Sequence, residues 1–186
     1  FRIPKTTVLG HMLTVAIFNY IFSNELGACK PRTYNNFYSA LFHDLPEILT
    51  KDIIRPVKSS ISGLGDIIKV YEEKQIEERI LPLIPDNWHR EMIYFVQNEF
   101  SDKIMENGEV KQVKNAAEYN YDQYNAVDGT LTASCDKLCA YIEASMALEY
   151  GIRSENLMKS KQALYDKYAV VDKNNLNFKQ LFDYFK

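Results

Sequence analysis

The chain is predicted to be all-α and single-domain. Three observations carry this. Apolar residues recur at helical spacing along most of its length, β signals are nearly absent, and 186 residues is an ordinary length for one domain. No run of alternating Val, Ile and Thr bounded by tight turns occurs. No internal repeat and no glycine-rich phosphate loop is present.

The first helix is expected where Met12, Val15, Ala16, Tyr20 and Phe22 follow helical spacing, ending near Gly27. Pro31 and Arg32 read as a loop, after which Asn35 or Asn36 would cap a second helix running through Asp44, with Phe37, Leu41 and Phe42 inward. Pro46 suits the first turn of a new helix, so His43–Asp44 falls where one helix ends and another begins. Ser59 to Gly65 is a Ser/Gly-rich break. Asp66 to Leu83 reads as a regular helix with Ile67, Val70, Tyr71, Ile76 and Ile80 on its apolar side, closed by Pro82 and Pro85. Glu91 to Glu106 is a further helix, followed by a turn at Asn107-Gly108. The polar, tyrosine-rich stretch from Lys111 to Asp128 has no clear period. Leu131 to Tyr150 is a long helix stopped by Gly151, and Ser154 to Tyr168 and Phe178 to Phe185 are short terminal helices.

Composition narrows the function classes. The chain is 46% hydrophobic, 25% charged and 13% aromatic, which excludes disorder and leaves enough apolar surface for a core without disulfide staples. Net charge is −3, so no nucleic-acid polymer is expected as partner, although a local basic pocket is compatible with it. Three cysteines are an odd number and point to a reducing compartment, hence a cytoplasmic location. Cys135 and Cys139, one turn apart, could bind a metal or sense redox state as a pair, but free Cys is usually a small buried apolar residue. The apolar stretch from Met12 to Phe22 contains Asn19 and is too short to span a membrane, so no membrane partner is expected. The chain opens at Phe1 rather than Met, as a trimmed chain would.

Chemistry gathers around the scarce histidines, His11, His43 and His89. A carboxylate beside an imidazole at a helix end, as in His43-Asp44, can ligate one cation with both side chains. His11 opens an apolar helix, and Asp136 sits in an apolar setting flanked by Cys135, Leu138 and Cys139. A buried aspartate is expensive without a cationic partner. His11, His43, Asp44 and Asp136 would make a two-nitrogen, two-oxygen site suited to Mn²⁺, Fe²⁺, Co²⁺ or similar ions. Against this, a lone His on an apolar helix is more often a hydrogen-bonded core residue, and a lone Asp is usually solvated.

The order His11…His43-Asp44…Asp136 resembles the H…HD…D pattern of the HD-domain metal-dependent phosphohydrolases, and so implies a helical bundle of the HD-domain type with a core over about residues 8–150 and terminal helices over 151–186. The run from His43-Asp44-Leu45-Pro46-Glu47 to Arg55-Pro56-Val57-Lys58, with Cys135-Asp136-Lys137-Leu138-Cys139-Ala140-Tyr141-Ile142-Glu143, is similar to the branch containing bacterial 5′-deoxynucleotidases. The resemblance places His11, His43, Asp44 and Asp136 on the metal ligands, Glu47 on a catalytic carboxylate and Asp52 on a residue near the nucleotide sugar. Gly10 stands where the family usually has Glu, and only Arg2-Ile3 stands near the place of its upstream Arg-Trp pair.

Glu47, four residues after His43, could pass a proton to the leaving oxygen beside the metal. Lys51, Arg55 or Lys58 would meet phosphate. With only His89 to spare, one divalent metal is expected: Mn, Co, Fe, Ni or Zn, with Mg as the remaining option. The substrate would be a small phosphomonoester of the nucleoside monophosphate kind, and a homodimer is implied by analogy alone. Tyr119, Tyr121 and Tyr124 could stack a base, line a dimer interface or simply pack a loop. The competing reading is a catalytically silent HD-fold module that binds a nucleotide or a partner domain.

Overall fold

The computed structural model describes residues 6–50, 64–171 and 175–186. Helix α1 (Val8–Glu25) starts where the Thr7 hydroxyl accepts the Gly10 amide, and it closes at Gly27 with φ +65°. Met12, Val15, Ala16, Asn19, Phe22 and Ser23 form its buried face. Leu9, Leu13, Ile17 and Tyr20 are exposed on the other, so α1 is apolar all round.

Helix α2 (Lys30–Phe42) begins earlier than the sequence suggests. Pro31 lies in its first turn rather than in a loop, because that turn needs no amide from it. Asn35 and Asn36 are therefore mid-helix and buried, not capping residues. Asn36 donates to Ser23 Oγ at 2.9 Å and to Asp128 Oδ2 at 2.8 Å, and it accepts the Asp128 amide at 2.8 Å. Arg32 grips the same carboxylate from Nε (2.9 Å) and Nη2 (3.0 Å). The two imidazole-bearing helices are thus fastened to the start of the long helix by a buried polar network.

Helix α3 (Leu45–Thr50) follows directly, with Pro46 in its first turn as expected. Helix α4 (Leu64–Gln75) passes through a π turn (Ile76–Ile80) and a 3₁₀ turn (Leu81–Leu83), and Pro82 and Pro85 end the run. Gly65 lies inside α4, and the rest of the Ser59–Gly65 break, apart from Leu64, lies outside the described residues. Ile68 of α4 and Ile76 of the π turn are buried, whereas Ile67, Val70 and Tyr71 are exposed. Adjacent isoleucines at 67 and 68 permit two helical registers, and the core selects the second.

Helix α5 (Asp86–Val96) stops ten residues short of the expected end at Glu106. Ile93, Val96, Phe100 and Ile104 keep helical spacing, which hides the break, but Asn98 adopts φ 49° and leaves the helix. Residues 103–106 are instead strand β1 (Lys103–Glu106), paired antiparallel with β2 (Glu109–Gln112) through Asn107-Gly108, both at positive φ. This two-stranded hairpin is the only sheet among the described residues, and the fold is all-α in substance.

Helix α6 (Gly129–Glu149) is the spine of the domain. Its N-terminal amides are capped from a distance: Asp102 accepts the Thr130 amide at 2.9 Å, because the Asp128 carboxylate is committed to Arg32 and Asn36. Gly129 is required there, since a Cβ would overlap the Ser101 backbone. Leu131, Cys135, Leu138 and Tyr141 of α6 pack with Val15 and Ala16 of α1, Ala40 of α2, and Phe178 and Phe182 of α8 (Phe178–Tyr184). Helix α7 (Glu155–Tyr168), capped by Ser154, lies against α6. Cys135 and Cys139 are free, buried thiols whose ionisation is suppressed by burial. Tyr119 and Tyr124 pack against the Ile104–Ala116–Ala126 cluster and each other, with ring centroids 5.2 Å apart, so they pack a loop. Among the described residues no helix is long and apolar enough to cross a membrane.

Candidate metal centre

The buried faces of α1, α2 and α6 set the site. His11 lies one residue before Met12 and one turn before Val15, at the edge of the α1 core face. His43 caps the C-terminus of α2, and Asp44 sits in the turn before α3. Asp136 follows core residue Cys135 on α6. All four line one open cleft of about 1560 Å³, roomier than the roughly 300–1,000 Å³ of ordinary small-molecule sites.

Three of the four expected ligands converge. One ligand atom each from His11, His43 and Asp44 lies within 4.8 Å of the others, which makes them the one such donor group among the described residues. Asp136 falls outside that mutual set but reaches it through His11, its Oδ1 standing 3.1 Å from His11 Nε2. His43 Nε2 stands 3.3 Å from Asp44 Oδ1. Neighbouring ligands on an ion held at about 2.1 Å are themselves about 3 Å apart, so both contacts have the spacing of adjacent ligands.

The donor chemistry fits a cation. The Ala40 carbonyl can only accept, so His43 Nδ1 donates to it at 2.7 Å and Nε2 is the lone-pair nitrogen of the neutral ring. That Nε2 is buried and makes no hydrogen bond, although the Asp44 carboxylate stands 3.3 Å away. Such an orphaned acceptor is costly unless an ion or donor meets it.

Charges around the cleft are strongly perturbed. Burial works against a charged His11, but hydrogen bonds to Asp136 and Glu143 outweigh it and raise the ring to about 9. His43 is raised too, Asp44 and the Ala40 carbonyl outweighing its burial. Burial would raise the Asp136 carboxyl, yet His11 and Lys137 hold it well below the usual carboxylate range. Lys137 donates to Asp136 Oδ2 while its ammonium lies 5.6 Å from the Phe100 ring centroid.

A family model described as HD domain matches residues 1–165. The chain belongs to the HD-domain family. HD domains are generally metal-dependent hydrolases, and this one places His11, His43 and Asp44 where they could hold a divalent ion. No curated protein matches the chain.

Other expected positions of the HD-domain site stand differently. Glu47 belongs to α3, but its side chain lies outside the described residues, as do Lys51, Asp52, Arg55 and Lys58 entirely. His89, expected to be spare, is not among the residues lining the cleft and hydrogen-bonds the Ile84 carbonyl at 3.2 Å. Two cleft residues are not apparent from the sequence. Lys137 is paired with Asp136, and Glu143 Oε1 accepts His11 Nδ1–H at 3.0 Å. The one signal for Glu143 is its distance of seven residues from Asp136, about two turns along one helix face.

Proposed function

We propose that the chain is a metal-dependent phosphohydrolase of the 5′-nucleotidase kind, acting on a small phosphomonoester such as a nucleoside monophosphate. The convergence of His11, His43 and Asp44, with Asp136 against His11, at the wall of an open cleft carries this reading. A divalent transition metal bound there supplies an activated water and neutralises charge on the phosphoryl group.

The chain's own residues do the rest. His11, His43, Asp44 and Asp136 hold the ion. Glu47 moves the proton to the leaving alkoxide. One of Lys51, Arg55 and Lys58 meets the phosphate, and Asp52 takes the role near the sugar that the resemblance gives it. Lys167 adds positive charge to the same cleft, whereas Lys137 is paired with Asp136. Membership of the HD-domain family supports the reaction class, and the likeness of the His43–Lys58 block supports the nucleotide substrate.

The test is phosphate release from a panel of nucleoside 5′-monophosphates with added Mn²⁺ or Co²⁺. Release from at least one, lost in His43→Ala and Glu47→Ala, is expected, with Glu47→Ala keeping its metal. No release from any phosphomonoester by a chain that binds metal would leave a nucleotide-binding or partner-binding module instead.

A further inference from the structure

The two imidazoles of the centre are held in the same way by different means. His43 has its Nδ1 tied back to the Ala40 carbonyl at 2.7 Å, which leaves Nε2 toward Asp44. His11 has its Nδ1 tied back at 3.0 Å to Glu143, which leaves Nε2 toward Asp136. Helix α6 thus presents two carboxylates, two turns apart, to the two nitrogens of one ring. The rings lie close, centroids 5.7 Å apart and planes tilted by 52°.

We propose that Glu143 is a positioning residue for the metal centre: its carboxylate fixes His11 with the proton on Nδ1 and the Nε2 lone pair directed at the ion. Glu143 meets the ring at the nitrogen that faces away from Asp136, so it acts through His11 rather than as a ligand. Its side chain is only 12% exposed, so water competes little for the contact. A carboxylate on the distal nitrogen both selects the tautomer and makes the ligating nitrogen more basic, and outer partners of this kind hold metal affinity. A neutral carbonyl, as on His43, orients a ring but donates less electron density. His11 is therefore the stronger donor of the pair and Glu143 the reason.

The inference rests on the metal reading but not on the phosphohydrolase reading, so the readout is binding. The apparent Kd for Co²⁺ is measured by chelator competition on wild type, Glu143→Gln, Glu143→Ala, His11→Gln and the double variant His11→Gln/Glu143→Ala. Glu143→Ala should bind about 10–100-fold more weakly and Glu143→Gln should fall between it and wild type. In the His11→Gln background the Glu143 change should add no more than about twofold, since the residue it acts through is gone. In parallel, the ¹⁵N spectrum of the zinc-loaded wild type should show His11 as a single Nδ1–H form, and that of Glu143→Gln a loss of this signature. Unchanged affinity in Glu143→Ala, an equal loss with and without His11, or a wild-type spectrum showing His11 with its proton on Nε2 would each overturn the proposal. A wild type that binds no Co²⁺ would instead remove the metal reading beneath it.

Discussion

His11 Nε2 and Asp136 Oδ1 stand 3.1 Å apart although 125 residues of chain separate them. Only the packing of α1 on α6 produces this contact, so the centre exists only in the folded state. Asp136→Ala should weaken binding of Mn²⁺ or Co²⁺ by at least the loss seen for an outer-shell partner, about 10–100-fold. Isothermal titration on the variant reads this directly, and affinity within experimental error of wild type would take Asp136 out of the ligand set.

The polar network behind the site makes a stability prediction. Arg32 and Asp128 are both buried, their side chains only 4% and 6% exposed. Arg32→Ala strands a buried carboxylate and should destabilise the fold by about 3–5 kcal/mol. Replacing both residues with apolar ones of similar volume should cost much less. Urea unfolding at neutral pH distinguishes the two, and equal losses would mean that the pair is not the linchpin described.

Much of the helical framework is legible in the order of residues alone. The helical period, the stops at Pro82, Pro85 and Gly151, and the new helix starting at Leu45-Pro46 follow from local rules, and local rules decide them. The hairpin of β1 and β2 does not follow, because Ile93, Val96, Phe100 and Ile104 continue a helical spacing that the extended backbone of Gln97 and the left-handed backbone of Asn98 interrupt. The early start of α2 is hidden because Pro31 reads as a breaker unless its place in a first turn is known. Of the centre, the His43-Asp44 pair is visible as a motif. Glu143 is not, since a glutamate on a long helix looks like solvated surface until its partner on α1 is in view.

Buried Lys103 gives a pH signature away from the centre. It donates to the Gln97 carbonyl and lies 5.1 Å from the Tyr94 ring centroid. Burial lowers its ammonium from 10.5 to about 8, with Glu99 opposing and Lys69 assisting. Between those values the unfolded chain holds a proton that the folded chain has released, so this group's contribution makes stability rise with pH there. The wild type should therefore gain on Lys103→Met between about pH 8 and pH 10 in chemical denaturation. A pH-independent difference would contradict the assignment.

Gly129 offers a simple steric test. An added methyl would overlap the backbone of Ser101 where α6 begins. Gly129→Ala should cost about 1–3 kcal/mol through displacement of that turn, despite alanine's better helix propensity. A variant as stable as wild type by thermal melting would show that the turn yields freely.

The proposed function requires one divalent ion to be held jointly by distant parts of the chain. Anomalous diffraction from crystals grown with Co²⁺, recorded at the cobalt edge, tests it most directly. A single strong peak is expected about 2 Å from His11 Nε2, His43 Nε2 and a carboxylate oxygen of Asp44, with Asp136 completing the set. A cleft without a peak, or an ion bound elsewhere on the chain, would contradict it.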